Sequence, residues 1–410
     1  MKTKEKLKQT EIGEIPEDWE EMKLNEATDT IFSGGTPNTR IASYWDGEIR
    51  WLSSGETGQT FIRDTIKKIT PEGVKNSSTR LAKKGDVVVA SAGQGYTRGQ
   101  TAYCMIDTHI NQSVISLRAN PKILDSGYLF YNLVSRYLEL RNVSDANSSR
   151  GSLTTKIIGD LKIEFPPLPE QKAIAKILSD LDNKIELNQK MNKTLEAIGQ
   201  ALFKHWFIDF QFPNEEGKPY KSSGGEMIES ELGVIPKGWS VDKAIKLFKL
   251  EYGWHLPEWN RKEGNIPVYG SGGLSGYHDE SFIKKAGLII GRAGKIGSDS
   301  VYYSHKEFCP LETTYYVSIE NQNLVRYLYY FIKTMSMVNT GSSVPNLSRN
   351  SIHDHEILIP ENKIIKKFDS LVERLFNLKY QNEEEIKSLS QLRDSLLPKL
   401  MSRKIRVPIK

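Results

Sequence analysis

The stretch ELGVIPKGWS, residues 231–240, lies in the middle of a 410-residue chain, yet it repeats the way the chain begins. Near the N-terminus, TEIGEIPEDWE (10–20) carries the same pattern of an apolar residue, Gly, x, Ile, Pro, two further residues and Trp. Trp19 is answered by Trp239, 220 positions later. A chain that opens twice predicts two copies of one unit, so repeats are sought before motifs.

More echoes follow in the same order. GDVVVASAGQGYTRG (85–99) pairs with AGLIIGRAGKIGSDS (286–300), each reading as a buried strand that runs into a Gly-rich turn. GYLFYNLVSR (127–136) pairs with VRYLYYFIKT (325–334), both helical in pattern. SSRGSLTT (148–155) pairs with GSSVPNLS (341–348), and LKIEFPPLPEQ (161–171) with HEILIPENK (355–363). The offset shrinks along the chain from 220 to 194, as loops of different length in two copies require.

Each copy ends in a long apolar periodicity. After Pro169 it runs through Ile174, Ile177, Leu181, Lys184, Asn188, Met191, Leu195, Ile198 and Leu202; after Pro360, through Phe368, Leu371, Leu375, Leu378, Asn382, Glu385, Leu389, Leu392 and Leu396. Steps alternating three and four form a heptad seam. The spacing predicts helices over about 170–208 and 362–402, each beginning after a proline. Two seams in identical register predict a mutual coiled coil. Connectivity makes it antiparallel, because the second helix must run back along the first. Asn188 and Asn382, the midpoints, are expected near the centre as register-setting residues.

The resulting fold class is α+β. Two similar mixed α/β domains, 1–168 and 231–360, are expected at opposite ends of an antiparallel helix pair formed by 169–210 and 361–410, with an approximate two-fold relation. Residues 211–230 read as an exposed polar linker. The terminal aromatics and aliphatics Phe203, Trp206, Phe207, Phe210, Leu397, Leu400 and Met401 are expected mainly to cover the domains.

Chemistry is notable for what it lacks. There is no phosphate-binding G-x-x-x-x-G-K-[ST] loop and no H-E-x-x-H motif. The two cysteines, Cys104 and Cys309, make neither a disulfide framework nor a zinc site. FPPLPE (165–170) lacks the amide or carboxylate that an amino-methyltransferase site places before its prolines. The histidines are scattered. No apolar run approaches the ~18 residues of a membrane span, and the charged N-terminus has no signal core, which points to a soluble cytoplasmic protein. The formal charge of +5 is compatible with nucleic acid without requiring it.

The loops carry the positive signal. FSGGTPNTRIASYWDG (32–47) offers Ser33, Thr36, Thr39 and Arg40; VYGSGGLSGYH (268–278) offers Tyr269 and Ser271. The Gly-rich turns place Arg98, Arg292 and Lys295, and the later loops add Arg150, Thr154, Lys156, Ser342, Asn346 and Arg349. Glycine admits phosphate to backbone amides, hydroxyls and amides make neutral contacts, and Arg reads guanine bidentately. Recurrence in both copies points to a DNA-binding face. A helix of 38 residues is about 57 Å long, against about 34–36 Å for a turn of DNA, so the helices would act as a ruler between two half-sites. Deleting four or seven residues from one helix is then expected to change the gap only.

On these residues the chain resembles the specificity (S) subunit of type I restriction-modification enzymes, over essentially its whole length. The matching pieces are IGEIPEDWE, LGVIPKGWS, SGGTP (33–37), GDVVVA (85–90), VYGSGGLSGY (268–277), PLPEQKAIAKIL (167–178), the stretch 195–239 and LRDSLLPKLMSRKIRV (392–407). The resemblance implies two target-recognition domains, spacer helices, and no catalysis or bound cofactor in this chain. It implies double-stranded DNA as ligand and two methyltransferase (M) subunits that use S-adenosylmethionine. It also implies two restriction/translocase (R) subunits using ATP and Mg, with no membrane partner. The chain of a system cutting on both sides of its site, a stand-alone DNA-binding regulator and a coiled-coil adaptor remain the alternatives.

Overall fold

The computed structural model describes residues 7–10, 13–93, 95–147, 151–293, 297–335 and 347–408. They fall into two compact units, Met1–Leu187 with Glu385–Lys410, and Asn188–Glu384, so the division runs through both long helices rather than at their ends.

The first unit is built on GDVVVA. Its strand Val87–Ala90 is buried at every residue. Side chains alternate across a strand, so Val88 faces one cluster and Val87 and Val89 another. It lies in a five-stranded sheet, in the order Thr28–Ser33, Val114–Ala119, Val87–Ala90, Thr101–Cys104 and Phe61–Ile62. The Val88 face meets a second sheet, ordered Lys67–Ile69, Trp45–Leu52, Thr108–Ile110 and Arg80–Ala82. The Val87 face packs on the helix Ser126–Ser135, whose N-cap Asp125 accepts from the Tyr128 amide.

The second unit repeats this plan. Its four-stranded sheet runs Lys249–Tyr252, Thr314–Ser318, Gly287–Gly291 and Val301–Ser304, strand for strand the first four positions of the first unit's sheet. The helix Val325–Thr334 stands where Ser126–Ser135 stands. Smaller features recur too. Glu20–Lys23 pairs antiparallel with Lys162–Phe165, and Ser240–Lys243 with Glu356–Ile359. The hairpins Leu7–Thr10/Gly13–Pro16 and Met227–Ser230/Gly233–Pro236 share one register. The second unit's other sheet is smaller, made of Gly273–His278, Ile266–Gly270 and Cys309–Pro310.

The two opening tryptophans are both buried, each on a turn in which its amide donates to the carbonyl of Pro16 or Pro236. Each is covered by chain that leaves a long helix. In the first unit the Arg406 guanidinium lies 6.0 Å from the Trp19 ring and bonds Glu170 and Asp18. In the second, Phe212 stacks on Trp239 at 4.9 Å and Tyr220 stacks on Phe212 at 4.5 Å. The expected linker is thus anchored near its start by two aromatic rings.

The long helices span Leu168–Phe203, followed by one π-turn over Lys204–Ile208, and Asn362–Met401. Within each unit their segments run antiparallel. In the first, Asp182 accepts from Arg393 at 2.7 Å and Lys184 meets Glu385 at 3.2 Å. In the second, Asn382 donates to Asn192 at 2.8 Å and Lys379 meets Glu196 at 3.1 Å. Phe203, Trp206 and Phe207 join the core of the second unit, and Leu397 and Leu400 that of the first.

The seam differs from the sequence expectation by one residue. Ile174, Asn188 and Phe368 face inward, but Ile177, Met191, Ile198, Leu371, Leu378, Glu385 and Leu392 are exposed. Leu178, Ile185, Asn192 and Gly199, with Val372, Lys379, Ile386 and Arg393, take the inner positions instead. One residue is about 100° around a helix, so half of the expected seam turns outward. The register expectation changes with it: Asn188 and Asn382 are both buried, but the amide partner of Asn382 is Asn192.

Candidate nucleic-acid interface

The first sheet strand of each unit carries an aromatic residue at or next to its end, with a guanidinium over the ring. In the first unit the strand is Thr28–Ser33, and Arg80 lies 4.2 Å from the ring of Phe32. In the second it is Lys249–Tyr252, and two guanidiniums, Arg292 and Arg349, lie 5.0 Å and 5.3 Å from the ring of Tyr252. The two rings are not equivalent: Tyr252 pairs with Tyr315 beside Ile290 as Ser33 pairs with Ile115 beside Val89, so Tyr252 stands where Ser33 stands and Phe32 faces the second sheet. Phe32 is buried, whereas Tyr252 is 50% exposed.

Directly after each of these strands the chain pinches against the second sheet. A Cβ on Gly34 would stand 1.9 Å from the Ile110 carbonyl oxygen, and one on Gly253 2.2 Å from that of Leu311. The close approach these glycines permit is therefore to the protein's own backbone, not to a phosphate as the loop chemistry suggested. Gly34→Ala and Gly253→Ala are each expected to cost about 1–3 kcal/mol, read as a lower urea midpoint.

Beyond Gly34 the loop is ordered by its own contacts. Thr36 donates to Gln112, and Trp45 Nε1 donates to the Asn38 carbonyl at 3.2 Å. Ser33 is half-buried, and Thr39 and Arg40 are exposed. Thr154 caps the helix Thr155–Asp160 by accepting from the Ile157 amide, and Lys156 is exposed on that helix. Arg98 stands apart from the expected face. It is 8% exposed, and its guanidinium donates to the Gly151 carbonyl at 3.0 Å and to Asp145. It ties its turn to the helix Tyr137–Asn147 and to the Gly151 carbonyl instead of pointing outward. Arg150, Lys295, Ser342 and Asn346 lie outside the described residues.

In the second unit the structure brings Arg292 and Arg349 together around Tyr252. Arg292 Nε donates to the Glu312 carbonyl at 2.8 Å, and its guanidinium also lies 5.7 Å from Tyr315. Arg349 opens the helix Arg349–His353. His353 Nε2 accepts from the Leu250 amide at 2.9 Å, fixing the strand that carries Tyr252. Burial, reinforced by the Arg349 charge, holds His353 below the usual imidazole range, which suits that acceptor role. Tyr269 and Ser271 form a separate group: Tyr269 stacks on Tyr302, whose hydroxyl donates to the Ser271 carbonyl at 2.9 Å. Burial pushes the Tyr269 phenol up.

Sequence reasoning missed Tyr252 and Trp254. The signal was present, since Pro37 and Pro257, 220 apart, place SGGTP beside GWHLP within one residue rather than beside the Gly-rich stretch at 268–278. Among the described residues no group of His, Cys, Asp and Glu could hold a metal ion. No described helix is long and apolar enough to cross a membrane.

The duplicated plan defines a class. The family model for the type I restriction modification DNA specificity domain matches residues 16–197 and again 236–388, and the chain belongs to that family, with the domain present twice. Its class is the specificity subunit of type I restriction-modification systems. It is 28% identical to the type I restriction enzyme MjaIX specificity subunit of Methanocaldococcus jannaschii, over 98% of this chain and 96% of that one. It is 22% identical to the HindI specificity subunit of Haemophilus influenzae, over 95% and 100%. The solved type I S subunit of M. genitalium superposes with a TM-score of 0.59 at 17% identity, over 93% of this chain and 96% of that one, a likeness of fold.

Proposed function

We propose that each unit reads one short half of a split DNA target and that the long helices set the gap between the halves. The observation that supports this best is the strand order repeated in the two units, on which the second unit carries two guanidiniums around an exposed tyrosine. The chain itself carries out no chemical step. Methylation falls to two docked methyltransferase subunits using S-adenosylmethionine, and restriction to two motor subunits using ATP and Mg.

The outward half of the heptad pattern suits such docking. Ile177, Leu187 and Leu392 in the first unit, and Met191, Ile198, Leu371 and Leu378 in the second, are exposed apolar residues on otherwise polar helix faces. Regularly spaced apolar residues on a helix suit a partner's helices.

The test is a methylome. The chain is co-expressed with the methyltransferase subunit of its host in a methylation-free strain, and modified adenines are read by single-molecule sequencing. A split motif with a constant gap is the expected result; a continuous motif overturns the two-unit reading. Duplex binding by the purified complex should also fall steeply with salt. Neutralising six phosphates implies a loss of about 10³ in affinity between ~50 and ~200 mM salt, and a flat profile in a filter-binding titration would remove DNA from the account.

A further inference from the structure

We propose that the aromatic edge Tyr252–Trp254, with Arg349 and Arg292, is the base-contacting element of the second unit, and that Trp254 is a specificity-determining residue for its half-site. This rests on the DNA-reading function proposed above and names the residues that carry it there.

Four observations converge. First, Trp254 is 40% exposed and belongs to no core cluster, although it is among the largest apolar side chains in the unit. Second, it is rigid. Its ring stacks on Tyr316 at 5.5 Å and 17° and touches Phe282 at 5.2 Å. Its amide donates to the Pro310 carbonyl at 2.8 Å, and its own carbonyl accepts from the Glu312 amide at 3.0 Å. An aromatic held from behind in this way loses little freedom when its outer side meets a ligand.

Third, two residues away, two guanidiniums crowd one exposed ring. Cations gathered at a surface ring raise the local positive potential and favour the approach of a polyanion. Fourth, the equivalent position in the first unit is Gly35, so the indole is a feature of one copy on a shared frame. Gly35 and Trp254 make matching backbone bonds, to the carbonyls of Ile110 and Pro310. A difference between copies at a fixed place is what two different half-sites require.

The chemistry assigns the roles. The guanidiniums suit phosphates or the acceptor edge of guanine, and the indole suits an apolar base edge such as the thymine methyl. Loss of such a contact relaxes one base position and leaves the remaining positions intact.

The experiment compares methylomes of wild type, Trp254→Ala, Trp254→Phe and Arg349→Ala, with Trp259→Ala as control. Trp259 is 84% exposed on the neighbouring turn Glu258–Asn260 and has no assigned role. For Trp254→Ala, discrimination at one position of one half-site should fall about 10- to 100-fold, with the other half-site and the gap unchanged. Trp254→Phe, which keeps a ring against Tyr316, should show a smaller loss at the same position. An unchanged motif at an unchanged rate overturns the proposal. So does uniform slowing at every site, which marks a backbone contact only. If both Trp254 variants lower the thermal midpoint and lose DNA modification altogether, the residue is structural and the proposal also falls. A wild-type chain that yields no split motif is a different result, and it defeats the underlying reading instead.

Discussion

Removing one heptad from both long helices together is expected to leave the two half-sites unchanged and to shorten the gap between them by about one to three base pairs. The matched segments are Glu186–Asn192 and Asn382–Ser388, which carry the Asn192–Asn382 bond between them. Their removal takes both partners of that bond at once and retains Asp182–Arg393 in the first unit and Glu196–Lys379 in the second. Seven residues preserve the phase of the seam and remove about 10.5 Å of helix. The projection of that length on a duplex rising ~3.4 Å per base pair gives the expected range. Deleting the segment from one helix alone strands Asn192 or Asn382 and lowers stability as well. Sequencing of modified adenines checks the result. A gap that keeps its length in the matched deletion, with both half-sites still read, refutes the idea that the helices measure DNA.

The repeat was legible because it lies in residues whose burial leaves little freedom. Trp19 and Trp239, the strands Val87–Ala90 and Gly287–Gly291, and the helices that cover them all reappear at consistent offsets. The seam was legible as a heptad with one of its two rows a residue out of phase, for a physical reason. Several inner positions are polar or minimal: Asn192, Gly199, Lys379 and Arg393. Gly199 makes room for Tyr330, whose hydroxyl would stand 1.8 Å from a Cβ there. Apolar residues at the outer positions then outscore the polar inner ones, and hydrophobicity misplaces that row. The interface was legible only in part. Arginine on a tight turn is equally suited to reading a base or bonding a neighbouring loop, and Arg98 does the latter while Arg349 lies beside an exposed ring. The fate of such a residue depends on which carbonyls the fold brings within reach, and spacing in the sequence does not encode that.

The polar inner positions serve a purpose that repeats in both units. Tyr131 and Tyr329 occupy matching places on the two covering helices, 198 positions apart. Tyr131 donates to Asp182 at 2.8 Å, and Asp182 accepts from Arg393. Tyr329 donates to Glu196 at 2.9 Å, which also meets Lys333 and Lys379. Burial, with the adjacent carboxylate, pushes both phenols up, so each remains a donor. At Glu196 burial disfavours the charge, but Lys379 and Lys333 more than offset it and hold the carboxyl below its usual range. In both units the carboxylate sits on the first long helix and a cation on the second. Each triad ties a covering helix to both long helices at once.

Arg393→Met is therefore expected to be severe. Asp182 is 4% exposed, and after the substitution it would keep only the Tyr131 hydroxyl. Stranding a buried carboxylate costs about 3–5 kcal/mol, well above the ~1 kcal/mol of an exposed ion pair. Removing both charges, as in Asp182→Leu with Arg393→Met, should recover a large part of the loss, because a packed apolar pair needs no compensating charge. Tyr131→Phe alone should cost less, about 1–3 kcal/mol, as one bond to a charged acceptor. A chain of two units need not unfold in one step, so the measurement is hydrogen exchange resolved by peptide. Protection should fall in Ser126–Ser135 and in the segments flanking Asp182 and Arg393, and hold in Val325–Thr334. Equal loss in both covering helices would mean that the triad stabilises the chain globally; no loss in either would mean that Asp182 is satisfied without its arginine, and the anchoring role would be withdrawn.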